Sequence, residues 1–371
     1  MATIFDFLVS CPKALAGHAD RALSESHQTV ARLERELTEF LEESPVHRLN
    51  RSRPRERIPF TAAGIELLER SERIRTQSRG SFNCLSKSTG TGEIAWDRQS
   101  SEAWRLNENT HLGFGAIGKG YALDQVRVIL ERAGFHDYVL SGGGSSIILS
   151  GFAGPDDPWK WGWSWKKDSG GENLGIPFEH HTGETIAIGI SGTHEQGRHI
   201  LDPVSGRGDF PLAVHSALIA HPSAAEADAL STALFVSGWD KGNSFLAESL
   251  VGVSPAVAAI DGSETPRWNG IFQRLWGPVS RISEGMRASA VCAFALSLST
   301  FLCHTAARAD DAVDLGAGDA NVFAPYMLER NHWWMVLPVF TLTVVLLHLK
   351  KPKKTRLKNL IPQAAPHERK M

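Results

Sequence analysis

"FGAIGKGYALDQ", residues 114–125, sets three glycines, a lysine and an aspartate at the start of an amphipathic helical pattern that runs through "LDQVRVILERAGF" and stops at Gly134. Backbone N–H groups at a helix start attract anions, so the stretch invites a phosphate-binding reading. Its spacing fits neither standard cradle. A Walker loop needs Ser or Thr directly after Gly-Lys, whereas Lys119 is followed by Gly120 and Tyr121. Gly115, Gly118 and Gly120 also miss the GxGxxG spacing of a dinucleotide fingerprint. Taken alone, the stretch reads more readily as a structural turn with a surface lysine.

Working outward, the flanks alternate helical and strand patterns. Residues 22–40 place Leu23, Val30, Leu33, Leu37 and Phe40 on one helical stripe, and 59–82 read as a second helix with Thr61 as N-cap and Gly80 at its stop. "DYVLSGGGSSIILSG" (137–151) reads as strand, glycine turn, strand. Trp159, Trp161, Trp163 and Trp165 alternate along a strand and so share one face. Residues 184–192 and 214–222 are further strands; 223–249 are helical with a break near Gly238. The expected class is α+β, with mixed sheets and flanking helices over residues 1–280.

Composition narrows the function classes. The 371 residues, 42% hydrophobic, suffice to bury a full core. A net charge of -2, with no basic stripe interleaved with aromatics in the first 280 residues, argues against a nucleic-acid partner. The four cysteines have no metal-binding or disulfide-framework spacing, and the opening twenty residues lack the basic and apolar regions of a secretory signal.

Five motifs in a fixed order add what the glycines alone do not: "SPVHRLN" (44–50), "GKGYALD" (118–124), "GGGSS" (142–146), "SGTHEQGRHILDPVSG" (191–206) and "EADALSTAL" (226–234). Together they resemble the ApbE family of FAD:protein FMN transferases over roughly residues 3–250. The resemblance implies an ApbE-like fold and an activity that moves the FMN half of FAD onto a Thr or Ser hydroxyl of an acceptor flavoprotein, releasing AMP. Such phosphoryl transfer calls for a hard cation, oxygen ligands and a proton acceptor. Asp228 and Thr232, four apart on one helical face, offer a carboxylate and a hydroxyl for Mg²⁺, and the resemblance adds the backbone carbonyl at Gly118. The bland alternative is a threonine bonded back to its own helix. His199, in "RHILDP", is the candidate proton acceptor, and Asp202 holds its loop or contacts the flavin.

Lys119 suits the FAD pyrophosphate or a partner carboxylate. Asp124 suits the nucleotide or a helix dipole. Gly143, Gly144 and Ser145 let a backbone approach a ligand closely, although a hairpin would use the same glycines. Ser44, Asn50, Ser191 and Gly192 complete the nucleotide-binding candidates carried by the resemblance. The chain departs from the family pattern at Gly113, where many relatives carry Asp, at Asn83 in "FNC", and at Ser145, where "GGD" is common. Two other classes stay open: an FAD pyrophosphatase and a non-catalytic FAD-binding module.

Residues 281–371 read as a membrane-associated tail. One apolar run covers 288–306 and a second, 333–349, has Trp at one edge and "KKPKKTRLK" after it. Six basic residues between Lys350 and Lys358, with Arg281 and Arg287 before the first run, predict a hairpin whose flanks and transferase domain face the cytoplasm; the alternative, which the family resemblance brings, is the outer face of the cytoplasmic membrane.

Overall fold

The structure is a computed structural model, and it describes residues 3–88, 91–155, 157–166, 173–192, 200–203, 214–249, 254–259 and 267–269. In chain order the elements are β1 (Phe5–Val9), α1 (Ala16–Leu37), α2 (Pro45–Arg51), β2 (Ile58–Pro59), α3 (Ala62–Gln77), β3 (Ile94–Asp97), β4 (Glu102–Arg105), α4 (Gly118–Arg132), β5 (Tyr138–Gly142), β6 (Ser146–Ser150), β7 (Trp159–Lys166), β8 (Asn173–His180), β9 (Ile186–Gly192), β10 (Val214–His221), α5 (Ala224–Ser249), β11 (Ser254–Ala259) and β12 (Arg267–Trp268). Both apolar runs of the tail lie outside the described residues. No described helix is long and apolar enough to cross a membrane.

A seven-stranded sheet in the order β1-β5-β6-β9-β10-β11-β12 is the backbone of the fold. Its hydrophobic alternation serves two faces. Leu140, Ile148, Ala187, Ala217 and Ile219 join the core that α1, α4 and α5 cover. On the alternate positions, Val139, Ile147, Leu149, Ile188 and Leu218 are also buried. Trp159, Trp161 and Trp163 of β7 are buried as their alternation predicts, with the Trp159 indole N–H donating to Ser150 O at 2.8 Å and the Trp163 indole N–H to Ser216 Oγ at 3.0 Å.

The class is α+β, as expected, but the sheets are not mixed in direction. Every described strand pairing is antiparallel. Hairpins such as the Gly143–Ser145 turn return the chain at once, without the crossover that a parallel pair requires.

Helix boundaries also shift. Helix α1 starts six residues before the predicted stripe and ends at Leu37, where Thr38 turns extended (ψ 144°). Phe40 therefore lies beyond the helix and is 73% exposed. Thr61 caps α3 as predicted, accepting from the Gly64 N–H at 3.2 Å, and Gly80 follows with φ +84°. Gly238 (φ 70°) breaks α5 where the sequence placed the break.

Candidate functional site

The glycine stretch forms the first turn of α4, which begins at Gly118 rather than at Leu123. Two features determine this start. A Cβ on Gly120 would stand 2.0 Å from the Ala224 carbonyl oxygen, so only glycine lets α4 and α5 approach this closely. The Gly120 N–H, one of the amides a helix start leaves without an internal partner, donates to Asp228 Oδ2 at 3.2 Å. Asp228 thus caps α4 from α5.

The converse holds at the start of α5. Asp124 accepts from the Ala224 and Ala225 N–H groups at 2.8 and 3.1 Å and from the Ser223 hydroxyl at 2.7 Å. Its carboxylate holds a helix terminus, where negative charge is favoured.

Several predicted residues converge around Asp228, which is 2% exposed. Lys119 Nζ lies 3.3 and 3.4 Å from its two carboxylate oxygens and 3.5 Å from Gly115 O. The Ser191 hydroxyl, at the end of β9, meets Ser231 Oγ at 2.8 Å and Thr232 Oγ1 at 3.1 Å. Close packing of β9 on α5 makes this possible, because a Cβ on Gly189 would stand 2.2 Å from Ala227 O. Thr232 also donates back to Asp228 O at 3.3 Å. The glycine turn joins the same region: Ile190 N–H donates to Ser145 O at 2.7 Å, and a Cβ on Gly142 would stand 3.7 Å from Lys119 Cβ. Gly143 and Gly144 adopt φ +62° and +68°, which L side chains rarely do. Their amides are engaged, Gly143 N–H with Ile4 O at 2.8 Å and Gly144 N–H with Ser141 Oγ at 3.3 Å, so the turn acts first as a structural hairpin. Gly192 lies against β10, where a Cβ would stand 3.0 Å from His215 O.

The remaining predicted residues take other places. Ser44 is buried and caps α2, accepting from the Val46 N–H at 3.2 Å and donating to Glu36 O at 3.3 Å. Asn50 clamps the approach to the glycine turn: its amide donates to Leu112 O at 2.9 Å and accepts from Leu112 N–H at 2.8 Å. Gly118 is the buried first residue of α4. His199 lies outside the described residues. Asp202 is half-buried, and Pro203 after it lines a cavity of about 740 Å³ together with Arg75, Asn83, Ser88 and Trp96.

Sequence reading missed a charged cluster beside Gly113. Glu39 pairs with Lys87 and accepts from His111 Nε2 at 2.7 Å, and a Cβ on Gly113 would stand 3.4 Å from Glu39 Oε1. Burial works against ionisation of Glu39, yet the hydrogen bonds from His111 and Lys87 outweigh it and hold its carboxyl below the ordinary range. Next to Asn83, burial pushes the Cys84 thiol up to about 12, which keeps it protonated and poorly nucleophilic.

For a divalent cation the donor set is one buried carboxylate and a neighbouring hydroxyl. No group of three or more His, Cys, Asp or Glu that could hold a metal occurs among the described residues. One carboxylate with the remaining positions left to phosphate oxygens and water is how Mg²⁺ is commonly held, so Asp228 and Thr232 fit that ion.

The ApbE family model matches residues 84–254, the segment that supplies Lys119, the glycine hairpin, Ser191 and Asp228. This segment is similar to the ApbE family. The chain is 29% identical to the FAD:protein FMN transferase of Klebsiella pneumoniae (strain 342) over 157 residues, 40% of this chain and 43% of that protein. It is 26% identical to the FAD:protein FMN transferase of Escherichia coli (strain K12) over 178 residues, 45% and 49% of the two. It therefore spans about half the length of the curated relatives it matches. The ApbE fold extends further than the sequence match. The apo flavinyl transferase ApbE of Pseudomonas stutzeri superposes with a TM-score of 0.60 at 19% identity, covering 74% of this chain and 98% of that one. A mutant of the flavin transferase ApbE from Vibrio cholerae gives 0.61 at 16% identity, covering 74% and 96%.

Proposed function

We propose that the chain is an FAD:protein FMN transferase that uses Mg²⁺. The observation that carries this reading is the convergence of Lys119, Ser191, Asp228 and Thr232 at the start of α4, inside the ApbE-family segment. In the reaction, the FAD pyrophosphate bond breaks, AMP leaves, and the FMN phosphorus bonds to a Thr or Ser oxygen of an acceptor flavoprotein. The hydroxyl proton goes to His199, the proposed base, and Asp202 holds that loop. Lys119 carries the positive charge suited to the pyrophosphate, and its flexible stem lets it exchange Asp228 for a phosphate. Asp228 and Thr232 would hold Mg²⁺, which supplies charge neutralisation at the phosphates.

The tail from residue 281 forms, in the same proposal, a membrane attachment with the transferase domain on the cytoplasmic side. Incubating the full chain with FAD, Mg²⁺ and an acceptor domain tests the activity. Covalent flavin fluorescence on a denaturing gel together with AMP supports transfer; AMP and free FMN without any acceptor indicate a pyrophosphatase; FAD binding without AMP indicates a binding module. Digestion of residues 1–285 by protease added to sealed right-side-out spheroplasts would overturn the cytoplasmic assignment.

A further inference from the structure

Residues 48–57, "RLNRSRPRER", hold five arginines against one glutamate. Arg48, Arg51, Arg53, Arg55 and Arg57 are all exposed. Arg57 alone of the five has an ion-pair partner among the described residues, Glu102 at 2.9 Å, and its guanidinium lies 4.2 Å from the Trp104 ring centroid. The other four guanidinium groups have no carboxylate partner among the described residues. Like charges spaced two or three residues apart along one exposed segment repel one another.

The backbone beneath them is held firmly. Arg55 N–H donates to Arg105 O at 2.8 Å, the Arg105 guanidinium donates to the carbonyls of Ser52 and Glu108, and Arg53 N–H donates to Glu56 Oε2 at 2.8 Å. Arg55 stands at φ +66°, a conformation costly for a side-chain-bearing residue and found where a site over-determines its backbone. The same segment touches the approach to the glycine turn, because Asn50 lies between Arg48 and Arg51 and clamps Leu112, three residues before Gly115.

We infer that this arginine-rich turn docks an acidic face of a partner protein and thereby presents the acceptor to the Lys119–Asp228 region. The inference rests on the transferase reading for the identity of the partner, not for its charge. Arginine forks match carboxylates two bonds at a time, and a turn already rigid loses little freedom on binding. A membrane fits less well, since Val46 and Leu49, the apolar residues of α2, are fully buried and leave no apolar face to insert. Nucleic acid also fits less well, because no aromatic residue interleaves the arginines.

The test uses the full chain and fluorescein-labelled poly-glutamate, followed by anisotropy at low and high salt. Binding that weakens about tenfold or more in R48E/R51E/R53E, and to a lesser degree in R48Q/R51Q/R53Q, with unchanged far-UV circular dichroism and FAD affinity, is expected for a rim of steering charges. In the transfer assay the same variants should raise KM for the acceptor while kcat holds. Equal poly-glutamate binding by wild type and variants, absence of binding by the wild type, or tighter binding to phosphatidylglycerol vesicles or duplex DNA would each overturn the inference. Salt-sensitive poly-glutamate binding lost in the variants, with no covalent flavin formed on any acceptor, would uphold the docking surface and reject the transferase reading.

Discussion

Gly120→Ala isolates the contact on which the candidate site is built. The added methyl would stand 2.0 Å from Ala224 O, 2.4 Å from Ala224 C and 2.7 Å from Ala225 N, all backbone atoms that no rotamer change can move. Non-bonded carbon contacts settle near about 3.5 Å, so α4 and α5 must part by more than about 1 Å. That separation breaks the reciprocal caps, in which Asp228 holds the Gly120 N–H and Asp124 holds the Ala224 N–H. Each cap is worth about 1 kcal/mol, overpacking adds roughly 1–3 kcal/mol, and alanine returns about 0.5–1 kcal/mol of helix propensity. The net loss is about 2–4 kcal/mol; at about 2–4 °C per kcal/mol for a domain of this size, Tm should fall by roughly 5–15 °C. Circular dichroism melts of Gly120→Ala beside Gly115→Ala measure it, because a Cβ on Gly115 meets nothing within 4 Å. Equal Tm values for the two variants would refute the close approach of the helices.

Asp228→Ala removes both the α4 cap and the proposed Mg²⁺ ligand, so Mg²⁺-dependent AMP release should disappear, and unchanged turnover would discard the metal assignment. His199→Ala should lower transfer by about 10²- to 10⁴-fold while FAD affinity changes less; equal losses in both would make His199 a binding residue. Stability should also decline in mild acid through His180. Burial depresses its pKa below the ordinary 6.5 and its Nε2 is hydrogen-bonded to Glu184 O at 2.6 Å. The unfolded chain then takes up the proton first, so this contribution is complete above 6.5 and is lost as pH falls from there toward the depressed folded value. A His180→Gln variant should show a shallower decline in urea midpoint from pH 7 to pH 5 than the wild type, and parallel curves would exclude His180 as the source.

Whatever depends on local period and turn chemistry was legible before any coordinates. The apolar stripe of α1, the Thr61 cap, the tryptophan alternation of β7, the glycine hairpin between β5 and β6 and the break at Gly238 all follow from side-chain spacing or from backbone conformations that glycine adopts at low cost. The ordered motifs likewise pointed to the ApbE family without a fold in hand. What the tertiary structure alone decided concerns groups whose partners lie far along the chain. Lys119 meets Asp228 from 109 positions away, Asp124 caps a helix 100 positions away, and Glu39 reaches His111 across 72. Gly120 belongs to this class as well. Its missing side chain looks like an invitation to a phosphate until α5 is packed against it, and then it is the space that one helix needs to touch another. Periodicity reports which face of an element is buried; it carries no record of which distant amide, carboxylate or backbone oxygen will stand opposite, and that pairing decides whether a polar residue caps a helix or faces a ligand.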